Sequence, residues 1–179
     1  GWVGNSFNVS ISGKGTHKFK IAGVGVDSGS TFTCICDDII ETHAMNSSDT
    51  ASGGWEESSM RSYLSGTLFN AFPTELKSSI KSVPKKNTAS YGAATTNDKL
   101  WLLSGTEVGL SNVSGEGSKY GIFTDDASRV RKLNGSAGAW WLRSVFSSAY
   151  FCCMGYDGSI DGYGGPASRA IGVVPGFCI

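Results

Sequence analysis

The chain has 179 residues, 40% of them hydrophobic, and its fifteen basic side chains balance fifteen acidic ones. Two domains of half this length would each be close to the lower limit of independent stability, so we predict a single domain over residues 1–179. A net charge of zero argues against nucleic acid and anionic membrane surfaces as partners. Membrane insertion is not expected, because no apolar run approaches the roughly 18 residues of a span.

The N-terminal half predicts a hairpin followed by two helices. Apolar residues alternate over residues 18–36 on both sides of a Gly- and Ser-rich segment, which is typical of a β-hairpin. Over residues 60–68 the apolar side chains fall on one helical face instead, which predicts a helix beginning near Trp55. Because proline suits the first turn of a helix, a second helix is predicted over residues 73–82.

The C-terminal half predicts strands separated by irregular segments. After Pro84 we expect a polar loop over residues 85–98, and residues 104–138 show no lasting periodicity. Short apolar runs predict strands at residues 100–103, 140–143, 150–154 and 171–179. Together with the two helices, these strands predict an α+β domain with small antiparallel sheets, and its 25 glycines indicate a loop-rich chain.

Histidines, lysines and the paired tryptophans are interpreted as structural residues. No nucleophile motif lies near His17 or His43, so both are expected on the surface and no catalytic residue is predicted. Trp140 and Trp141 point to opposite faces of a strand, which places at most one in the core and the other on a surface or in a second packing layer. A solvated edge is the interpretation for four lysines on or near the second helix, Lys77, Lys81, Lys85 and Lys86.

The possible metal ligands are assigned to the core or to turns. Close spacing predicts buried free thiols rather than disulfides for the five cysteines, Cys34, Cys36, Cys152, Cys153 and Cys178. Cys34, Cys36 and His43 could supply zinc ligands, but strand alternation puts both thiols on one core face. Residues 157–162 begin like an EF-hand loop, yet its twelfth position is Ser168 and a hairpin turn is preferred. We predict no metal and no cofactor.

The segment from Val145 to Arg169 is rich in Tyr, Ser, Gly, Asp and Arg. Antibody paratopes use the same mixture, because Tyr gives rigid contact area at low entropy cost while small polar residues adapt their hydrogen bonds. Gly-rich hairpins without a binding role have this composition too. Composition alone does not separate the two interpretations.

Five stretches, in order along nearly the whole chain, resemble a bacterial and prophage domain of unassigned function. They are GGWEESSMRSYL, FPTELKSSIKSVPKK, DKLWLLSGTEV, RVRKLNGSAGAWWLRS and GVVPGFCI, of which WWLRS and GVVPGFCI are the most specific. The C-terminal half is similar to the variable proteins of diversity-generating retroelements. This resemblance implies a C-type-lectin-like fold related to the scaffold of the formylglycine-generating enzyme.

The resemblance also implies how the C-terminal residues are used. In that family a template mutated at adenines rewrites scattered codons, and the rewritten residues form a ligand-binding face on a constant scaffold. The corresponding variable segment here is residues 140–179. Rewritten asparagine-type codons cannot encode Met, and within residues 145–171 only Met154 departs from the accessible set. We therefore expect Met154 to be constant and buried.

On this basis we predict a binding protein, not an enzyme, that contacts a protein or other macromolecule on a cell surface. The expected location is a phage particle or the bacterial cell surface. The scaffold is expected to include Trp141, Leu142, Met154, Val173, Val174 and Phe177. The predicted contact residues are Phe146, Ser147, Ser148, Tyr150, Tyr156, Asp157, Ser159, Asp161, Tyr163, Ser168 and Arg169.

Two alternatives belong to other functional classes. One is an enzyme on the same scaffold that uses Cys152 or Cys178 with copper or as a nucleophile. The other is a structural module of a virion or cell surface without a variable ligand. Calcium-dependent sugar binding is not carried over, because the Glu-Pro-Asn and Trp-Asn-Asp signatures of C-type lectins are absent.

Overall fold

The computed structural model describes residues 1–179 and shows a mixed α+β fold made mostly of small antiparallel sheets, with few helices. The strands are β1 (Ser6–Ile11), β2 (Gly15–Val24), β3 (Phe32–Cys36), β4 (Thr42–His43), β5 (Val83–Lys86), β6 (Thr95–Asp98), β7 (Leu100–Leu102), β8 (Arg131–Leu133), β9 (Ser136–Gly138), β10 (Trp140–Ser147), β11 (Tyr150–Met154), β12 (Tyr163–Pro166), β13 (Ile171–Gly172) and β14 (Pro175–Cys178). The helices are α1 (Ser59–Tyr63), the π-helical segment π1 (Leu64–Leu68), α2 (Phe69–Ala71), α3 (Thr74–Ser79), α4 (Gly105–Val108) and α5 (Asp126–Arg129).

The first sheet joins the two ends of the chain. Its order is β1-β2-β3-β14-β7, and all its pairs are antiparallel. The predicted hairpin over residues 18–36 is confirmed as β2 and β3, and β1 extends it by one further strand. Because β14 lies between β3 and β7, the last residues of the chain form the middle of a sheet begun by the first.

Phe177 on β14 is the centre of an aromatic cluster beneath the first sheet. Its ring centroid lies 5.2 Å from that of Phe19 and 5.9 Å from that of Phe72, which precedes α3. Phe7 on β1 contacts it edge-on at 6.4 Å. These contacts pack β1, β2 and the helical region against the C-terminal strand.

The second sheet carries the C-terminal hairpin and has the order β12-β11-β10-β13-β4. Its β10–β13 pair is parallel, and β10 contains irregular register against β11 on both sides of Val145. Trp140 and Trp141 are both fully buried, so the sheet has a packed layer on each face of β10. Of the two places expected for the second tryptophan, a surface or a second packing layer, the structure therefore contains the packing layer.

The first helical region is continuous from α1 through π1 to α2. Ser58 caps its N-terminus by accepting a hydrogen bond from the backbone N–H of Arg61, so the helix begins later than the predicted start near Trp55. Trp55 lies in the loop before it, where its indole N–H donates to Asp98 at 3.0 Å. Arg61 also donates to Asp98, at 2.7 Å, and this shared carboxylate ties the helix to β6.

The second helix is shorter than predicted. It ends at Ser79, and Val83 with Pro84 belongs to β5, which pairs with β6 where a polar loop was expected. Proline is tolerated there because β5 belongs to a two-stranded sheet and has a free edge. None of the helices has the length and apolar character needed to cross a membrane.

Candidate binding surface

The predicted contact residues lie on and around the hairpin formed by β11 and β12. None of the eleven is buried: Ser147 and Ser159 are half-buried and the other nine are exposed. Four exposed aromatic side chains stand out, at 48% exposure for Phe146, 37% for Tyr150, 68% for Tyr156 and 49% for Tyr163.

The hairpin register separates these residues along its length. Tyr150 pairs with Pro166 at one end, and Cys153 pairs with Tyr163 at the other. The loop that follows, residues 155–162, carries Tyr156, Asp157, Ser159 and Asp161. Ser148 and Ser168 lie instead at the end where β11 begins and β12 finishes.

The predicted contact residues also lie on both faces of the second sheet. A Cβ placed on Gly164 would collide with the ring of Phe146, whereas one on Gly165 would lie 2.9 Å from the ring of Trp141. Successive residues of a strand face opposite sides, so Tyr163 shares the face of Gly165 and Phe146 lies on the other face. The contact residues therefore surround the hairpin and do not form one flat patch.

Tyr163 and Asp157 are brought together above Gly155. A Cβ on Gly155 would lie 2.8 Å from Cε2 of Tyr163 and 3.1 Å from Oδ1 of Asp157. Glycine at this position leaves the space that the tyrosine ring occupies. This pair, with the neighbouring Tyr156, forms the part of the surface farthest from Tyr150 along the hairpin.

The loop over residues 155–162 is held by its own side chains and by the segment that contains Ser111. The Asp157 carboxylate accepts a hydrogen bond from the backbone N–H of Ser159 at 3.2 Å. The Ser159 hydroxyl in turn accepts one from the backbone N–H of Asp161 at 3.3 Å. The carbonyl of Ile160 accepts from the backbone N–H of Ser111 at 3.2 Å. These bonds support the interpretation of residues 157–162 as a hairpin turn.

The opposite end of the hairpin rests on the loop before α1. Ser168 donates to Asp49 through its hydroxyl at 2.6 Å and its backbone N–H at 3.0 Å. Both hydrogen bonds lower the pKa of the Asp49 carboxyl. The backbone N–H of Ala51 donates to the carbonyl of Ser148 at 2.8 Å. Ser168 and Ser148 therefore contribute to the architecture as well as to the surface.

Below this surface lies the framework, where the sequence-based expectation is confirmed. All six predicted scaffold residues, Met154 among them, have an exposure of 0%. The indole N–H of Trp141 donates to the carbonyl of His43 at 2.8 Å and connects β10 to β4. The exposed hairpin side chains are thus mounted on a fully packed base.

A cluster of ionisable side chains, which we call the charged cluster, was missed in the sequence. It consists of Lys85, Glu107, Tyr120 and Arg143, which are buried, and of Asp27, which is half-buried. Lys85 on β5 contacts the carboxylates of Glu107 at 2.6 Å and Asp27 at 3.0 Å, and it donates to the Tyr120 hydroxyl at 2.9 Å. Lys85 is only 2% exposed, so its assignment to a solvated edge is wrong. Asp27, Lys85, Glu107 and Tyr120 line a cleft of about 440 Å³.

Arg143, the arginine of the WWLRS stretch, completes this cluster. It is fully buried and donates to Glu107 at 2.6 Å and 3.1 Å, and to the carbonyls of Leu102 and Lys86 at 2.7 Å and 2.8 Å. Burial alone raises the pKa of Glu107, but the charges of Arg143 and Lys85 and their hydrogen bonds hold it below its ordinary value. Because two cations and two carboxylates satisfy one another, the cluster is a structural network.

One signal in the sequence could have located part of the charged cluster. Ser104 and Glu107 have the spacing of a capping box, and the structure shows both of its hydrogen bonds at the start of α4. No comparable signal marks Lys85, which alternates with exposed neighbours on a short strand containing proline.

The histidines occupy less exposed positions than expected. His17 is 9% exposed, so its assignment to the surface is wrong. His43 is half-buried and stacks on Tyr63, with ring centroids 4.1 Å apart.

All five cysteines are buried free thiols, as predicted. Burial raises the pKa of Cys34 and Cys152 to about 12, and that of Cys153 and Cys178 to about 11. The pKa of Cys36 is also well above its ordinary value, mainly because the thiol is buried. A nucleophilic thiolate is therefore disfavoured at neutral pH at each of these positions.

The family model described as "Domain of unknown function (DUF6273)" matches residues 30–179. The chain belongs to this family. No curated protein and no solved structure matches it.

The DUF6273 match covers most of the fold but not its first two strands. It includes β3 to β14 and all eleven predicted contact residues, whereas β1 and β2 precede it. Most of the charged cluster lies inside the matched range, and Asp27 lies just before it. The N-terminal hairpin thus adds two strands to the edge of a sheet that the DUF6273 region otherwise completes.

Proposed function

We propose that this chain is a binding protein whose C-terminal hairpin contacts a protein or other macromolecule on a cell surface. One observation carries the proposal, namely the concentration of exposed apolar side chains on this hairpin and at the adjoining end of β10. Nine large hydrophobic residues of the chain are exposed, and five of them fall within residues 146–163. Four of those five are aromatic, while the only other exposed aromatic residue is Trp2.

Exposed aromatic residues on a rigid base are suited to recognition. Tyr and Phe supply large contact areas with few rotatable bonds, so little entropy is lost when a partner orders them. The hairpin is fixed at both ends by hydrogen bonds to Ser111, Asp49 and Ala51, which limits the cost of ordering the backbone. Asp157, Asp161 and Arg169 add charged groups at the rim of the aromatic side chains.

We further propose that the fold is C-type-lectin-like and that residues 140–179 are diversified by a retroelement. The burial of Met154 supports this idea, since a residue that adenine mutagenesis cannot write is expected to be constant. The mixed α+β architecture is compatible with it. A near-copy of the codons for residues 140–179, differing at adenines and lying beside a reverse transcriptase gene, is the expected finding in the neighbouring DNA. Without such a copy the diversification proposal fails, while the binding proposal stands.

Binding is tested with the double variant Tyr156→Ala/Tyr163→Ala and the matched control Trp2→Ala, which removes an exposed aromatic residue elsewhere. Fluorescently labelled proteins are added to a panel of bacterial cells, and cell-bound label is measured by flow cytometry. We expect the double variant to keep the wild-type circular dichroism spectrum and lose at least about tenfold in binding, as hot-spot removal does. Unfolding of the double variant, or equal loss in Trp2→Ala, would contradict the proposal.

The enzyme alternative receives less support from the structure. It requires Cys152 or Cys178 to react or to bind copper, and both thiols are buried with a raised pKa. The charged cluster has an active-site-like composition, but its groups bind one another. A binding role therefore accounts for the exposed residues better than a thiol-based reaction.

A further inference from the structure

Three side chains with metal-ligating atoms converge where β2 begins and β3 ends. They are His17 on β2, Cys36 at the end of β3 and Asp38 just beyond it, and their ligand atoms all lie within 4.8 Å of one another. Nδ1 of His17 is 2.8 Å from Oδ1 of Asp38, and Sγ of Cys36 is 3.2 Å from the same oxygen. Imidazole nitrogen, thiolate sulfur and carboxylate oxygen are the three protein ligand types of zinc.

The ring of His17 is oriented by its other nitrogen. Nε2 lies 2.6 Å from the carbonyl oxygen of Lys14, and a carbonyl can only accept, so Nε2 carries a hydrogen. The unprotonated lone pair of a neutral ring is then on Nδ1, which is directed at Asp38. Metal-binding histidines have this arrangement, in which a backbone carbonyl fixes the tautomer and the ring orientation.

The charges of the three side chains suit a divalent cation. A divalent ion bound to neutral His17, the Cys36 thiolate and the Asp38 carboxylate gives a site with no net charge. The proton of the Cys36 thiol, which donates to Asp38 in the metal-free protein, leaves when the ion binds.

The position of Asp38 allows a further ligand to reach the cluster. Its side chain is 39% exposed, while that of His17 is only 11% exposed. Asp38 lines two adjoining clefts of about 360 and 330 Å³. Two ligands are thus held inside the protein, and the third faces solvent.

We propose that His17, Cys36 and Asp38 bind one divalent transition-metal ion, zinc in preference, with a fourth position open to water or to a ligand in the clefts. Ligand atoms of a tetrahedral zinc site lie about 3.3–3.6 Å apart, given metal–ligand distances of 2.0–2.3 Å. From 3.2 Å, the contact between Asp38 and Cys36 would need to lengthen by about 0.1–0.4 Å, and from 2.8 Å, the contact between Asp38 and His17 by about 0.5–0.8 Å. This site lies on the first sheet, away from the C-terminal hairpin, and is independent of the proposed binding surface.

The proposal is tested on the full chain after removal of metal by a chelator. Zinc is titrated into the protein in competition with a chromophoric zinc indicator, and cobalt is used as a spectroscopic substitute. We expect one equivalent of zinc to bind, and the cobalt complex to show a thiolate charge-transfer band in the near ultraviolet. Absence of stoichiometric zinc binding, or a cobalt complex without that band, would overturn the proposal.

The variants Cys36→Ser and Cys34→Ser form a matched pair, because both thiols are fully buried on β3 and face the same side. Serine at position 36 can still donate to Asp38, so a purely hydrogen-bonded role would survive this change. We expect Cys36→Ser to weaken zinc binding at least about a hundredfold and Cys34→Ser to leave it unchanged. Equal weakening in both variants would refute the site.

Asp38→Asn provides a second test that does not depend on a buried substitution. This side chain is partly exposed, so the variant is expected to fold and to lose at least about tenfold in zinc affinity. If Cys36→Ser does not fold, this result decides: unchanged zinc affinity in Asp38→Asn would overturn the proposal.

Discussion

Glu107 pairs with two buried cations, Lys85 and Arg143, and it is the carboxylate that they share, although Lys85 also contacts Asp27. Taking a charge out of water costs several kcal/mol, and that cost is offset only while its partner remains. Such residues can't be recognised from composition, because lysine and glutamate are nearly always on the surface. Met154 is the opposite case, since it was expected to be buried and its exposure is 0%.

Replacing Glu107 with Gln should destabilise the protein strongly. The variant keeps the size of the side chain but leaves Lys85 and Arg143 without their shared anion, so we expect a loss of about 3–5 kcal/mol in the free energy of unfolding. Urea denaturation at pH 7 measures it. The control Glu57→Gln changes an exposed carboxylate and should stay within about 0.5 kcal/mol of wild type. A loss no larger than the control's would mean that the buried ion pairs are not needed.

Glu107 should also make the free energy of unfolding depend on pH. The pKa of Glu107 in the folded protein lies below its ordinary value of 4.5, so its contribution is complete above that value and is lost as pH falls through the folded-state pKa. Wild type should therefore lose stability more steeply than Glu107→Gln below about pH 4.5. Urea denaturation of both proteins from pH 7 to pH 3 gives the two slopes. Parallel curves would contradict this assignment.

The cysteines should be unreactive while the protein is folded. Burial raises the pKa of the thiols, and the thiolate is the form that attacks a disulfide reagent. With Ellman's reagent at neutral pH we expect negligible reaction of the metal-free native protein over minutes, and five equivalents after denaturation. One rapidly reacting thiol at Cys152 or Cys178 would instead favour the enzyme alternative.

Among the secondary-structure elements, the helical region shows which features the local sequence pattern could predict. Apolar periodicity located α1 to α2, because their buried face includes Met60, Leu64 and Leu68. The π-helical turn and the short α3 were not predictable from that period, since tertiary packing decides where each turn tightens or ends. The strand at β5 was missed because Pro84 is a poor strand former outside an edge position.

Two glycines in helical elements should respond in opposite directions to alanine. Gly66 lies in π1, and a Cβ there would meet no atom within 4 Å, so Gly66→Ala should raise the free energy of unfolding by about 0.5–1 kcal/mol. Gly109 caps α4 in the left-handed region, at φ 85°, so Gly109→Ala should lower it by about 1–2 kcal/mol. Thermal denaturation of both variants checks the prediction, and shifts of the same sign would contradict it.

For the whole molecule, sheet order was the property that the sequence could not supply. The strands of the C-terminal half were largely located, but nothing local indicates that β14 inserts between β3 and β7. Pairing between strands so distant in sequence is set by the packing of their side chains, here by Phe19, Phe72 and Phe177. The exposure of the predicted contact residues was predictable for a different reason, because a Tyr-rich hairpin between buried strands leaves its side chains outside.

The DUF6273 region alone, residues 30–179, should not fold without the preceding hairpin. Removing residues 1–29 takes four large core side chains from the first sheet, those of Val9, Ile11, Phe19 and Ile21. At about 1.5–3 kcal/mol each, their loss is comparable with the roughly 5–15 kcal/mol that stabilise a typical domain. It also leaves β3 as an unpaired edge with Phe177 partly uncovered.

Near-ultraviolet circular dichroism and urea denaturation should show no cooperative unfolding for residues 30–179. A chain lacking only residues 1–3, whose Trp2 and Val3 are exposed, should unfold cooperatively like the full chain. A cooperatively folded 30–179 chain would show that the family region is self-sufficient and that β1 and β2 are an accessory to it.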